Sequence, residues 1–506
     1  MLVQAKATAF DAETRTVSLD LQWENAWKNE VNFDGAYVFL KYRPSAGEAF
    51  RSMKLRGTGG GMTERKPLPE GFSLGESNVK LGAFLPETRL GFFVFPEEAC
   101  SRQTVRAAGI RVPVEADRAE EIEVFSIEMV YIPEGRFTIG DPKGPKRMGG
   151  SCLNGFYTYP DRPMYEIASE KAIAFGPEEG MLYCDMDYAP GGEAVQQKGL
   201  TIPEAFPKGF AGMWYMKHPL AMRQWVQFLN CLTRRQQQRQ VWADVSGDAV
   251  PHFYVMTDSD HLQDRNEVFC HPAGHGTENP VTFYTSAPNR IANGLNWFSA
   301  ASFACFAGLR PVTELEYTKA CRGPLAPVER EFPWGSSAIG RVWNFSGEEL
   351  LPLPEKPGAL ANCVFDTHTV MFHGQPKRFT GDGPQWGGTP GEGTFENAPL
   401  IEGYSERECR GSSYYGVMEL AGTVWEYLVS ASLEDGARFD RSYGTGELTE
   451  DGEYDMPSWP SPKTGAGFSM RGGNYASAPN FFVDTRPFGA YVKKTIVFHG
   501  GARVGF

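Results

Sequence analysis

The sequence predicts an α+β protein with few helices and long loops, preceded by a small β-sandwich. Its 506 residues are enough for two or three domains, each with its own hydrophobic core. The 57 glycines and 36 prolines favour turns and loops over long helices. The first part of the chain, residues 1–120, reads as short strand-forming runs separated by turn residues.

Four segments carry the prediction of a β-sandwich. Residues 16–23 (TVSLDLQW) alternate between apolar and polar side chains, and residues 36–42 (AYVFLKY) are a run of β-forming residues. Residues 79–84 and 90–95 add two further strands. We therefore expect a β-sandwich over residues 1–120, with a domain junction at the acidic residues 115–121.

The next segment, residues 128–140 (EMVYIPEGRFTIG), predicts a pair of strands joined at Pro133 to Gly135, where the turn residues lie. Two helices follow later in the chain. In the first, the apolar residues recur at helical spacing, so one face should pack inward: Met222, Trp225, Phe228, Leu229 and Leu232. The second helix should begin at Thr313, which forms a capping box with Glu316.

Composition excludes several classes of function. The net charge of -13 argues against a broad nucleic-acid-binding face, and no apolar run approaches the length of a membrane span. The first residues show no secretory signal pattern, so we expect a cytoplasmic protein, or one exported without a Sec signal. The nine cysteines are scattered without a CxxC pair, which is typical of a reduced intracellular protein.

Three blocks near the C-terminus resemble the formylglycine-generating enzyme, or sulfatase-modifying factor, superfamily. They are residues 416–427 (GVMELAGTVWEY), 469–474 (SMRGGN) and 503–506 (RVGF), where the family reads roughly GLYDMSGNVWEW, RGGSW and GFR. Upstream, residues 216–230 and 309–317 are similar to further family segments. The resemblance implies a C-type-lectin-like domain over residues 127–506, with two helices, small twisted antiparallel sheets and long ordered loops.

The resemblance also raises the question of the family's copper chemistry. Its catalytic members bind copper through two cysteines placed just after the RGG block. Those positions fall on Ser477 and Phe482, and no cysteine follows Cys409. Cu(I) needs soft thiolate ligands, so we expect no copper and no catalytic residues of the family's type.

Histidine residues raise two further possibilities for a metal site, an iron site of another branch of the superfamily and a site at His271 and His275. Ergothioneine-type sulfoxide synthases, another branch, bind iron largely through histidines of an N-terminal helical domain, but no histidine precedes His218 here. His271 and His275 form a dense histidine region, which reads either as a transition-metal site without an evident third ligand or as an ordinary loop.

The resemblance further implies a structural calcium ion around the GTVWEY block. In the family it is held by side-chain and backbone oxygens, which suit a hard cation. The matching positions here are Glu419, Gly422, Val424 and Glu426. The alternative is that both glutamates are surface or salt-bridged residues.

The C-terminal segment, residues 474–492, predicts a recognition surface. It combines aromatic rings with small polar side chains, a mixture typical of binding sites. The candidate ligand-binding residues are Tyr475, Ser477, Asn480, Phe481, Asp484, Arg486, Phe488 and Tyr491. The same fold and layout occur in the variable proteins of bacterial or phage diversity-generating retroelements. Adenine-directed mutagenesis of Asn codons cannot give Lys, Glu, Gln, Met or Trp, and this segment contains none of them.

The sequence thus favours a non-catalytic protein that binds a protein or other macromolecular ligand, either through a fixed surface or through a diversified one. A buried core segment would also lack charged residues, so the composition alone does not separate these interpretations. The alternative function is a divergent metal-dependent oxidase acting on a protein thiol.

Overall fold

The computed structural model shows a protein built mostly of antiparallel β-strands with a few helices. It describes residues 3–61, 66–143, 147–148, 151–152, 155–161, 163–184, 186–188, 194–196, 199–340, 342–346, 351–354, 360, 362–364, 369–372, 375–378, 389–464, 466–477, 482–486 and 500–506. Within these residues, no helix is both long and apolar enough to span a membrane. A mostly β-stranded structure with few helices agrees with the predicted α+β class, and the C-type-lectin-like fold stays a prediction.

Ten strands form the largest sheet. They are β1 (Val3–Asp11), β2 (Thr16–Lys28), β3 (Phe33–Arg43), β4 (Arg51–Ser52), β5 (Glu76–Ser77), β6 (Leu81–Phe84), β7 (Gly91–Pro96), β8 (Cys100–Pro113), β9 (Glu121–Ile132) and, further along the chain, β20 (Met213–Met216). The main path of the sheet runs β20-β9-β3-β2-β8-β5. The strands predicted at residues 16–23, 36–42, 79–84 and 90–95 are therefore present, as parts of β2, β3, β6 and β7.

The remaining strands form small sheets, and the helices are short. The strands are β10 (Phe137–Ile139), β11 (Arg147–Met148), β12 (Ser151–Cys152), β13 (Tyr157–Thr158), β14 (Tyr165–Ile167), β15 (Ile173–Phe175), β16 (Leu182–Tyr183), β17 (Met186–Tyr188), β18 (Ala194–Gln196), β19 (Leu200–Ile202), β21 (Val268–Phe269), β22 (Tyr284–Thr285), β23 (Val342–Ser346), β24 (Leu351–Pro354), β25 (Thr369–Phe372), β26 (Gln375–Arg378), β27 (Glu426–Val429) and β28 (Phe468–Arg471). The helices are α1 (Met222–Asn230), α2 (Arg234–Gln240), α3 (Trp297–Phe306), α4 (Glu314–Arg322), α5 (Glu406–Arg410) and α6 (Glu434–Ala437).

Strand β3 lies at the centre of the large sheet and is covered on both faces. Because side chains alternate along a strand, Tyr37 and Phe39 join the core that contains α1 and α3, whereas Val38 and Leu40 join the core of the N-terminal sheet. Phe39 stacks on Phe125 with ring centroids 4.6 Å apart. The central strand therefore connects two hydrophobic cores.

The predicted helices are confirmed. In α1 the apolar side chains face the core, and α4 begins at Thr313, whose hydroxyl accepts from the backbone N–H of Glu316 as the capping box requires. The predicted hairpin at residues 128–140 is wrong. Strand β9 pairs with β3 and β20, whereas β10 pairs with β14, because longer-range partners replace the local turn.

The boundary between residues 120 and 127 stays a prediction. Strand β9 begins at Glu121 and crosses it, pairing with β3 from Phe33↔Tyr131 to Arg43↔Glu121. On its other side, β9 pairs with β20, so one sheet continues from the N-terminal strands into the later part of the chain.

Candidate functional site

The three C-terminal blocks meet in the interior. Strand β27 of the GTVWEY block pairs with β28, which ends in the RGG block, so that Glu426 lies opposite Arg471. From the last block, the Arg503 guanidinium bonds both carboxylate oxygens of Glu426, at 3.0 and 3.1 Å from Nε. Its remaining nitrogens donate to the carbonyls of Met216, Lys217 and Met418. Arg503 therefore joins these blocks to the chain just before α1.

That chain segment carries Lys217 and His218, both buried. Their backbone is fixed, because the Lys217 N–H donates to the carbonyl of Glu128 and the Lys217 carbonyl accepts from the N–H of Met418. The Lys217 ammonium lies 2.6 Å from Glu128 Oε1, 2.7 Å from Glu396 Oε1 and 3.4 Å from Asp34 Oδ2. One lysine therefore joins three carboxylates that come from distant parts of the sequence.

The His218 imidazole lies beside the same carboxylates. Its Nδ1 is 2.7 Å from Glu419 Oε2, while its Nε2 is 3.4 Å from Glu396 Oε1 and 3.8 Å from Glu128 Oε2. Burial by itself lowers the pKa of His218, but the charges of Glu419 and Glu396 outweigh it and raise that pKa to about 10. The imidazole is accordingly protonated near neutral pH when no other cation is bound.

We call this group the buried charge cluster. It contains the acidic residues Asp34, Glu128, Glu396 and Glu419 and the basic residues Lys217 and His218. The acidic groups outnumber the basic ones, so burial raises the pKa of Glu128 to about 8 and also raises that of Asp34. The pKa of Glu396 is instead lowered, because Lys217 and His218 outweigh its burial. Four buried carboxylates thus share two basic side chains.

A cavity of about 710 Å³ reaches the cluster from the surface, and Lys217 and Glu396 line it. One wall comes from the N-terminal sheet, including Asn25 and Trp27 of β2, and the other from the segment containing Tyr414 and Tyr415. The cavity therefore lies where the predicted β-sandwich meets the later part of the chain.

Three residues around this cavity adopt the left-handed backbone region that non-glycine residues rarely occupy. Their φ angles are 56° for Asn25, 47° for Arg102 and 52° for Glu419. Asn25 and Arg102 lie in β2 and β8 near an irregularity in the register of those strands. Asn25 donates to the Glu396 carboxylate, and Arg102 donates to the Glu396 carbonyl. Bulges of this kind re-aim side chains, and such strain is concentrated at functional sites.

The predicted C-terminal recognition residues do not line this cavity. Most of those within the described ranges are buried in the fold. Tyr475, Asp484 and Arg486 are buried, and Arg486 is bonded to Glu314 at 2.7 and 2.9 Å. Burial raises the pKa of Asp484 to about 7. The sequence left open which of the candidates point outward, and these three pack and pair inside the fold; ligand binding by the segment stays a prediction.

Ser477 is half-buried and its hydroxyl donates to Asn474. The other four candidates, Asn480, Phe481, Phe488 and Tyr491, lie outside the described residues. The positions of the family's copper ligands hold a serine hydroxyl and the ring of Phe482, whose centroid is 5.0 Å from that of Phe332. Neither side chain fits copper.

The predicted calcium ligands are buried and have protein partners. Glu426 is paired with Arg503, and the two carboxylate oxygens of Glu419 face His218 and the N–H of Gly393. A calcium ion held by Glu419, Gly422, Val424 and Glu426 would compete with these partners for the two carboxylates. Calcium there stays a prediction.

Sequence reasoning missed most of the buried charge cluster. One signal was present, since Asp34 in β3 and Glu128 in β9 are buried charged residues flanked by apolar neighbours or glycine. His271 is exposed and His275 is half-buried, and His275 contacts the carbonyl of His271.

No family model matches the chain. It is 27% identical over 157 residues to a hercynine oxygenase of Mycolicibacterium smegmatis, a match covering 28% of this chain and 36% of that protein. It is 35% identical over 69 residues to a hercynine oxygenase of Mycolicibacterium thermoresistibile, covering 13% and 16%. The matches thus span about a third or less of these relatives. Hercynine oxygenases belong to the formylglycine-generating enzyme family, so the similarity supports that superfamily for part of the chain.

Proposed function

We propose that the protein binds a small polar molecule in the cavity above Lys217 and Glu396, on a C-type-lectin-like scaffold of the formylglycine-generating enzyme type. The observation that carries the proposal is that Asn25 and Arg102, both with left-handed backbone, line this cavity and both donate to Glu396 in it. The sequence predicted a protein or other macromolecular ligand at the C-terminal segment, which stays a prediction; the present proposal is a separate small-molecule site in this cavity.

The walls indicate the chemistry of the ligand. Trp27, Tyr414 and Tyr415 offer flat apolar contact, whereas Arg407 and Arg410 offer positive charge. Pockets that combine aromatic walls with a few charged groups hold a small molecule by its apolar part and orient it by its polar part. We therefore expect a ligand with an anionic group, such as a carboxylate.

A cavity-filling substitution tests the proposal. Ala99 lines the cavity, so Ala99→Trp should block it, while Ala108→Trp places the same side chain on an exposed position of β8, away from the cavity. Free amino acids and small dicarboxylates are added to each protein, and the thermal unfolding temperature is measured. A ligand should raise that temperature in the wild type and in Ala108→Trp but not in Ala99→Trp. An equal rise in all three proteins would place binding elsewhere.

The second candidate function is a divergent metal-dependent oxidase acting on a protein thiol. It is favoured by the similarity to hercynine oxygenases, which are iron enzymes. Oxygen consumption with a cysteine-containing peptide, measured together with the iron and copper content of the purified protein, tests it. Turnover that depends on bound metal would favour the oxidase over a protein that only binds.

Two further proposals from the sequence, a structural calcium ion and a diversified C-terminal segment, are tested separately. If calcium is held at Glu419 and Glu426, a calcium chelator should lower the unfolding temperature. If the segment around residues 474–492 is diversified, the genome should carry a reverse transcriptase gene and a near-identical template copy nearby. The burial of Tyr475, Asp484 and Arg486 does not favour diversification at those three positions.

A further inference from the structure

Three donor atoms in the buried charge cluster converge on one point. Glu128, His218 and Glu396 each offer one such atom, and these atoms all lie within 4.8 Å of one another; His218 Nε2 faces Glu128 Oε2 and Glu396 Oε1. The three side chains are at most 4% exposed. His218 Nε2 and Glu128 Oε2 make no hydrogen bond. A buried polar atom without a hydrogen bond is unfavourable, so these two atoms leave a place for a further partner between them, beside the ion-pair contact of Nε2 with Glu396.

The spacing of the donors fits a metal ion. Bonds of about 2.0–2.2 Å from a metal to nitrogen and oxygen place neighbouring ligand atoms roughly 3–3.5 Å apart. The distances from His218 Nε2 are 3.4 Å to Glu396 Oε1 and 3.8 Å to Glu128 Oε2. Small side-chain movements would bring all three atoms to coordination distance.

Surrounding residues bond the other polar atom of each of these side chains and so fix their orientation. His218 Nδ1 bonds Glu419 at 2.7 Å, and a histidine that binds metal usually donates its other nitrogen to a carboxylate in this way. Lys217 bonds the other oxygen of Glu128, and Asn25 bonds the other oxygen of Glu396. Glu419 is fixed in turn by the N–H of Gly393. His218 Nε2 and Glu128 Oε2 therefore face the shared point without a hydrogen bond, whereas Glu396 Oε1 also contacts Lys217.

The charge of the cluster also favours a cation. Four carboxylates surround this point, and Lys217 is the nearest permanent positive charge. A divalent ion bound to His218 would replace the imidazole proton and reduce the excess negative charge. One imidazole and two carboxylates are borderline and hard donors, which suit Zn²⁺, Mn²⁺ or Fe²⁺ and do not suit Cu(I).

We propose that Glu128, His218 and Glu396 bind one divalent transition-metal ion, with Glu419, Lys217 and Asn25 orienting the ligands. The competing arrangement is that Lys217 alone neutralises Glu128 and Glu396, since its ammonium contacts the same Glu396 oxygen at 2.7 Å. This inference does not rest on the proposed function, because metal content is measured without any ligand of the cavity.

Metal analysis of the purified full-length protein tests the proposal. The protein is stripped with a chelator and then titrated with Zn²⁺, Mn²⁺ or, without oxygen, Fe²⁺ alone. We expect about one equivalent of one of these metals per chain, and less than about a tenth in His218→Asn and Glu128→Gln. The matched control is His261→Asn, which changes an exposed histidine outside the cluster and should keep the metal.

If the variants do not fold, the wild-type protein can still test the proposal. X-ray absorption at the metal edge then identifies the ligand atoms and their distances from the metal. Nitrogen and oxygen ligands at about 2.0–2.2 Å, including imidazole, would support the site. Sulfur at about 2.3 Å would show that a cysteine holds the metal and would overturn the proposal. Wild-type protein that binds none of the three metals, or variants that bind as much as wild type, would overturn it as well.

Discussion

Arg503 shows how one residue near the chain end can hold a core together. Its guanidinium bonds Glu426 and three backbone carbonyls, and both side chains are at most 2% exposed. A buried ion pair often stabilises a fold no more than apolar side chains of the same size would. Removing only one partner, however, leaves an uncompensated buried charge. The motif residue therefore matters for stability whether or not the protein is an enzyme.

The substitution Glu426→Gln tests this role at the residue scale. It keeps the size of the side chain but leaves the Arg503 charge unpaired, so we expect a loss of about 3–5 kcal/mol in the free energy of unfolding. The measurement is urea unfolding followed by circular dichroism.

Glu48→Gln is the matched control, because Glu48 pairs with Arg51, which is 57% exposed. Solvent screens that pair, so we expect Glu48→Gln to leave the free energy of unfolding almost unchanged. Similar losses in the two variants would show that the buried pair contributes no more than a surface pair does.

At the scale of elements, the RGG block depends on backbone conformation as well as on side chains. Gly472 follows β28 with a φ of 80°, and a Cβ there would lie 2.4 Å from the carbonyl oxygen of Leu420. Its own carbonyl accepts from the N–H of Gly422 in the neighbouring block. The glycine is therefore needed for the close approach of these two blocks.

Gly472→Ala should accordingly lower the stability of the protein more than a glycine-to-alanine substitution that only restricts the backbone. Gly109 in β8 provides the control, since its φ is 69° but a Cβ there would meet nothing within 4 Å. We expect Gly109→Ala to cost about 1 kcal/mol, the penalty of a left-handed alanine, and Gly472→Ala to cost several times more because it also clashes. The two unfolding temperatures measure the difference, and equal effects would contradict the role of the close contact.

Other elements show which secondary structure can be predicted from local sequence patterns and which cannot. Strand β3 and helices α1 and α4 were predictable because alternation, helical spacing and a capping box are short-range signals. The expected hairpin at residues 128–140 fails for the opposite reason. Its turn residues are present, but β9 gains more by pairing with β3 along 11 registered positions than with the short β10.

At the scale of the whole molecule, the large sheet connects the predicted β-sandwich to the rest of the chain. Strand β3 pairs with β9 on one edge and contributes side chains to two cores. The cavity lies along the same junction. Separation of the two parts would therefore expose a long strand edge and a large apolar surface.

Expression of residues 127–506 alone tests this arrangement. Because the fragment lacks β3 and the start of β9, we expect it to aggregate or to lack a cooperative unfolding transition, while the full chain unfolds cooperatively. Calorimetry and size-exclusion chromatography measure both properties. A monomeric fragment with its own sharp transition would instead support two independent domains with a boundary between residues 120 and 127.

The sequence by itself determined the α+β class, several strands and helices, the superfamily resemblance, and the mismatch between Ser477, Phe482 and copper. Only the tertiary structure brought together the site, since Asn25 and Glu396 are 371 positions apart and Lys217 and Asp34 are 183 apart. No periodicity connects such residues. Their contact depends on how the sheet, α1 and the C-terminal blocks pack, and the same packing buries Tyr475 and Arg486, whose aromatic and charged side chains suggested a surface.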